Sequence, residues 1–266
     1  MPSRVSAALT VSDSKRAFHR AFPYVIAPLY RRMVDELLVE LHLLSRQRGF
    51  EANPLFACGL IQVFDGFAKG YRPSEHKPVL LAALCSATGF DAEALRREAE
   101  ASRAAMGNHS VEEVKGWIER QGDGAPEPLA SALASIRRPD FHYSRLMAVG
   151  LLSLLEEAQG ADAMDPGTLR SFAQELAGAI GLLRERVDKD LSLYATNLEK
   201  LAQAVALMEE TVAAERRKRE RQQAALRDAA AGSLTEVAAE TAMESAPEAE
   251  AAPAAPSAPA DAPTAH

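Results

Sequence analysis

Six histidines are the residues in this sequence best suited to move a proton or hold a metal near neutral pH. They are His19, His42, His76, His109, His142 and His266, and no two lie closer than 23 residues. No Glu stands three residues before any of them, so the Glu-x-x-His ligand pairs of di-iron helix bundles are absent. The chain also lacks H-E-x-x-H, Walker A, G-x-G-x-x-G and G-x-S-x-G. Glu36 and Glu40 stand at i, i+4 beside Arg32, the spacing of a general acid/base pair, but a solvated helix face has the same spacing and is far commoner. Asp65 lies inside the apolar stretch 54–69, where an acid needs a partner, and Lys69 at i+4 offers one. Cys58 and Cys85 form no C-x-x-C pair and are expected to be two buried, reduced thiols. The sequence therefore assigns no catalytic, cofactor-binding or metal-ligating residue, and an enzyme is not expected.

Two other patterns carry chemistry of association. From Leu191 the apolar residues alternate by three and four: Leu191, Tyr194, Leu198, Leu201, Val205, Met208 and Val212. Leu176, Ile180, Leu183 and Val187 extend this coiled-coil seam upstream, with one step out of phase at Val187–Leu191. Just beyond it, Arg216, Arg217, Lys218, Arg219 and Arg221 put five bases into six positions. Such a run suits anionic lipid head groups, at about 1 kcal/mol per base near a surface. It equally suits a solvated helix end, where cations complement the macrodipole.

Helices must position these residues, because apolar periodicity of three to four dominates and no apolar/polar alternation is long enough for a strand. Ser12 or Asp13 is expected to cap a helix stopped by Pro23. Pro28 and Pro54 open two strong helices, and Asp91 caps another that runs to Met106. Gly59 and Gly66 weaken the helix from Pro54 and signal close approach by a neighbour. Helices follow from about Ser74 to Thr88, from the Ser110/Glu113 capping box, from Pro126 or Pro128 to Ile136, and over 143–159. Asp165-Pro166 then starts a segment free of proline until Pro247.

If residues 168–228 are one helix, it is about 90 Å long. A body of ~165 residues is roughly 40 Å across. The expected architecture is all-α, with residues 1–12 flexible, 13–165 a compact helical body and 166–228 a long helix. Gly178 and Gly181 mark a bend or close contact in that helix, and its second part projects. On this reading the body folds without residues 191–266. The seam has two readings, packing on the protein's own helices or binding a partner helix, and projection from the body favours the second.

The 37 acids and 30 bases leave a charge of −7. Residues 228–266 hold seven of the acids and no Lys or Arg, so the preceding 227 residues carry 30 of each. A balanced body excludes a general nucleic-acid binder, which needs a basic face to displace counterions. Residues 242–266 contain eleven alanines and five prolines. That composition makes 229–266 an expected disordered acidic tail, able to neutralise the basic run. No charge-free run, 78–90 among them, exceeds 13 residues, short of the roughly 20 a bilayer-spanning helix needs. With no secretory signal at the N-terminus, any membrane contact is expected to be peripheral.

The block TVSDSKRAFHRAFPYVIAPLYRRMVDELLVELHLL (10–44) resembles the thylakoid formation protein family of cyanobacteria and plastids. NPLFACGLIQVFDGFAKGYRP (53–73) continues the resemblance, which covers about 10–215 and weakens between Gly122 and Asp165. It implies an all-α accessory factor without a catalytic residue, linked to thylakoid membrane biogenesis, photosystem II assembly or repair, and the membrane FtsH protease. Expected partners are FtsH, photosystem II assemblies or an anionic lipid surface; whether the seam pairs two copies is left open. Without a transit peptide, the implied place is the cytoplasmic side of a cyanobacterial thylakoid. The alternative is a helical domain binding a small molecule or pigment in a pocket formed by 54–90.

Overall fold

A computed structural model describes residues 9–158 and 164–244 of the chain, with side chains through residue 228. Among the described residues there are ten α-helices and no strand. The first two are α1 (Val11–Ala21) and α2 (Pro28–Arg46). The cap of α1 is Thr10, neither Ser12 nor Asp13: its hydroxyl accepts from the Asp13 N–H, and Asp13 accepts in return from the Thr10 N–H at 2.8 Å. The helix thus begins inside the segment expected to be flexible. This box holds the Asp13 carboxyl down at about 2, first through the Thr10 N–H, then the Thr10 hydroxyl and the Arg16 guanidinium. Its folded value lies below the unfolded one, so its stabilising contribution is complete above about pH 4 and fades as pH falls toward 2. An NMR titration of the Asp13 carboxyl is expected to show a midpoint near 2 that moves toward the ordinary value in Thr10→Val.

The centre of the fold is α3 (Pro54–Phe67), crossed by α8 (Arg145–Glu157). Ten consecutive residues of α8, Leu146–Leu155, are buried, as are Pro54–Ile61 of α3. Two helices apolar on nearly every side must be surrounded by others. Their backbones touch at Gly59 and Gly150. A Cβ on Gly59 would lie 1.7 Å from the Leu146 carbonyl oxygen, and one on Gly150 would lie 1.8 Å from that of Leu55. The close approach signalled by Gly59 is this crossing.

Around that pair lie α4 (His76–Thr88), which packs on α1 and α2, and α5 (Ala92–Met106), which packs on α3 and α8. The shorter α6 (Val111–Glu119) and α7 (Glu127–Ile136) complete this part, with α7 on α3. The Ser110/Glu113 box starts α6 as its spacing requires. Cys58 and Cys85 are free and buried, and burial pushes their thiols to about 11 and about 12. Asp65 is exposed and pairs at 3.4 Å with Arg96 of α5 rather than with Lys69. No single described helix is long and apolar enough to cross a membrane.

The last two helices, α9 (Pro166–Ala179) and α10 (Arg184–Glu244), replace the single helix expected from residue 168. Gly181 adopts φ +86°, a left-handed conformation that ends α9 and that glycine adopts without steric penalty. The out-of-phase step at Val187–Leu191 lies just beyond this break, within α10. Helix also continues past Asp228 to Glu244, through residues assigned from composition to a disordered tail. Alanine is the best helix former, and no proline intervenes before Pro247. The rest of that tail, 245–266, lies outside the described residues. The chain divides into two compact units, Met1–Leu207 and Met208–His266, with the boundary inside α10.

Candidate functional site

Within the first unit, α10 docks on the body through the beginning of its seam. Val187 and Leu191 are completely buried, and Tyr194, Leu201 and Val205 pack partly buried against the core. Small residues on and after α3 make room for them. Leu198 would meet a Cβ on Gly66 at 3.1 Å, and Val205 would meet one on Gly70 at 2.7 Å. Five of the seven residues assigned to a partner helix are therefore engaged by the protein's own helices. A side chain fully enclosed by its own core offers no area to another helix. Met208 and Val212, in the second unit, are 41% and 61% exposed.

Polar contacts fasten the same segment. The Tyr143 phenol donates to Asp190 at 2.7 Å, and the Arg186 guanidinium lies 4.8 Å from the Tyr143 ring centre. Burial, reinforced by the Asp190 carboxylate, pushes the Tyr143 phenol far above its ordinary range. Nearby, Arg145 donates to Glu40 at 2.8 Å, joining α8 to α2. Burial nevertheless raises the Glu40 carboxyl, outweighing Arg145 and Ser144, with Asp190 adding to the rise. Glu36 is held separately by Arg32 at 2.8 Å, so the Glu36–Glu40 pair is divided between two arginines rather than sharing a proton. A carboxyl raised by burial can mark a catalytic acid, but Glu40 is occupied by an arginine. Among the described residues no group of three or more His, Cys, Asp or Glu could hold a metal ion.

A cavity of about 290 Å³ lies between α2, α3, α8 and the first half of α10. Leu37, Val63, Leu146 and Val149 form buried wall, whereas Arg32, Glu36, Leu193 and Lys200 are exposed and mark its mouth. The pocket expected within 54–90 is not the one found. Only Val63 and Phe67 of that stretch reach this cavity. Neither the cavity nor the Tyr143–Asp190 and Glu40–Arg145 contacts were foreseen from sequence; residues 47 and 105 positions apart meet in them. Gly150, the one glycine of α8, carried a readable signal, but of the crossing with α3 rather than of the cavity.

In the second unit, Arg216, Arg217, Lys218, Arg219 and Arg221 are all exposed, as is every residue from Met208 to Asp228. Arg216 pairs with Glu220 at 2.8 Å. An exposed i, i+4 pair of this kind contributes about 0.3–0.5 kcal/mol, so it leaves the cluster strongly cationic.

The comparisons with known proteins follow this architecture. Residues 10–223 match the family model described as thylakoid formation protein. Protein Thf1 of Prochlorococcus marinus (strain MIT 9313) is 55% identical over 217 residues, which are 81% of this chain and 89% of that protein. Protein Thf1 of Synechococcus elongatus is 44% identical over 213 residues, 79% of this chain and 84% of that one. The solved structure of Psb29 is 37% identical, superposes with a TM-score of 0.69, and is matched over 79% of this chain and 98% of its own. The sequence blocks 10–44 and 53–73 that carried the resemblance lie in α1, α2, α3 and their connections, inside the matched region. This chain belongs to the thylakoid formation protein family.

Proposed function

We propose that the protein is a non-enzymatic adaptor in thylakoid membrane biogenesis and photosystem II assembly or repair. It acts with the membrane FtsH protease from the cytoplasmic face of the thylakoid. The first unit supplies a stable helical body, and the cationic part of α10 in the second unit makes the contact. One observation carries this reading: every side chain from Met208 to Asp228 is exposed, and five bases occupy six consecutive positions within that stretch. A fully exposed helix with no continuous apolar stripe cannot bury itself in a bilayer as an amphipathic helix would. Its attraction is electrostatic, toward anionic head groups or acidic protein surfaces.

Replacing Arg216, Arg217, Lys218, Arg219 and Arg221 with Gln tests the contact. Sedimentation with isolated thylakoid membranes at low salt is expected to fall by at least about tenfold, given about 1 kcal/mol per base. High salt is expected to reduce wild-type sedimentation toward the variant's level. Equal sedimentation of the two proteins at low salt would contradict the electrostatic contact.

A further inference from the structure

The cavity in the first unit is independent of the adaptor reading. It measures about 290 Å³, near the lower end of the size of ligand pockets. Its inner wall is hydrocarbon from Val63, Leu146 and Val149, each 7% exposed or less. Waters against that wall would find too few polar partners, and a dry void would forfeit dispersion contacts along the whole lining. Polar groups also line it: Arg145, Asp190, Tyr194 and Asn197, with Arg32, Glu36 and Lys200 at the exposed mouth. A lining divided in this way matches a ligand divided in the same way.

We propose that this cavity binds a non-ionic amphiphile, an alkyl chain of about ten carbons ending in a hydroxylated head group. A chain of this order suits a cavity of about 290 Å³, near the lower end of the size of ligand pockets. The neutral head follows from charge. Arg32 is tied to Glu36 at 2.8 Å, Arg145 to Glu40 at 2.7 Å, and Asp190 accepts from Tyr143. The lining thus presents donors and acceptors of both signs with no dominant charge. Lys200 stands at the exposed mouth, in solvent that screens it. A head that both donates and accepts is satisfied there, while an ionic one gains little from arginines that already hold carboxylates. Because Leu193, Tyr194 and Leu201 of α10 form one side and α2, α3 and α8 the others, the occupant bridges α10 to the body. Occupancy therefore stabilises the docked α10.

Decyl glucoside, kept below its micelle concentration, is the probe, titrated calorimetrically into the full-length protein beside decanoate. The expected result is saturable binding of one decyl glucoside per chain, with affinity unchanged between about 20 mM and about 500 mM salt. Ala204→Phe, which fills the cavity from α10, is expected to weaken binding at least about tenfold. Leu193→Trp at the exposed mouth gives a second obstruction should Ala204→Phe fail to fold, and is expected to weaken binding in the same direction. Absence of saturable binding to the wild type would overturn the proposal. So would wild-type affinity in both variants, which would place the ligand elsewhere. Tighter, salt-dependent binding of decanoate would also overturn it, by assigning an anionic head.

Discussion

Gly59→Ala is expected to destabilise the protein by about 3 kcal/mol or more, read from urea denaturation of the purified chain. In an open helix the same substitution would be stabilising, because Ala is favoured over Gly by about 1 kcal/mol. Here the added methyl would lie 1.7 Å from the Leu146 carbonyl oxygen, 2.6 Å from its carbon and 2.9 Å from the Gly150 nitrogen. None of these atoms is the movable end of a side chain. The two most enclosed helices of the fold must separate, loosening the packing of both along their length. Gly116 in α6 supplies the contrast. A Cβ there meets only the Arg120 guanidinium, at 3.0 Å, which can swing away. Gly116→Ala is expected to leave stability unchanged or raise it by up to about 1 kcal/mol. Equal effects at the two glycines would mean that α3 and α8 do not cross in backbone contact.

Deleting residues 191–266 is expected to unfold the body, whereas deleting 208–266 is expected to leave its melting temperature unaltered. The shorter chain loses Leu191, which is fully buried, together with the partly buried Tyr194, Leu201 and Val205. At about 1.5–3 kcal/mol for a fully buried aliphatic side chain and a fraction of that for the others, the loss is on the order of 5 kcal/mol. That equals the whole net stability of many domains. It also strips the cover from Val63 and Phe67 on the cavity wall. The longer deletion product keeps the entire first unit. Thermal unfolding followed by circular dichroism separates the two: a cooperative transition for residues 1–190 alone would contradict the intramolecular role of the seam.

The seam shows where sequence reading reaches its limit. Its spacing made Leu191 to Val212 legible as one apolar stripe, but a stripe has the same pattern whether its complement is its own chain or another. The complement here is the room left by Gly66 and Gly70, more than 120 positions away, and neither glycine announces which helix it receives. Local signals fared better. Pro28, Pro54, Asp91, Ser110 and Asp165 mark helix starts correctly, because a cap or first-turn proline acts within four residues. Thr10 was missed beside Ser12 and Asp13, since its box closes on an Asp rather than the usual Glu or Gln. Asp65 was read as an acid that its apolar surroundings would force to pair, but it lies exposed, and its partner Arg96, on a different helix, was out of reach of an i, i+4 search. Between Asp228 and Glu244 two rules competed. Low aromatic content argued for disorder, while alanine-rich, proline-free sequence favours helix, and the helical preference prevailed. The cationic run, a purely local feature, was visible at once; the Glu40–Arg145 and Tyr143–Asp190 contacts behind the cavity required the fold.

That run defines the central claim, that the second unit makes the contacts and the first unit supports it. A tagged chain lacking residues 208–266, expressed in a cyanobacterium in place of the full-length protein, tests it most directly through quantitative recovery of FtsH and photosystem II subunits from solubilised thylakoids. The truncated protein is expected to accumulate as a folded body and to recover at most about a tenth of what the full-length chain recovers, a difference of about 1.4 kcal/mol or more in association. Undiminished recovery by the truncated chain would contradict the claim and place the contact surface on the body formed by Met1–Leu207.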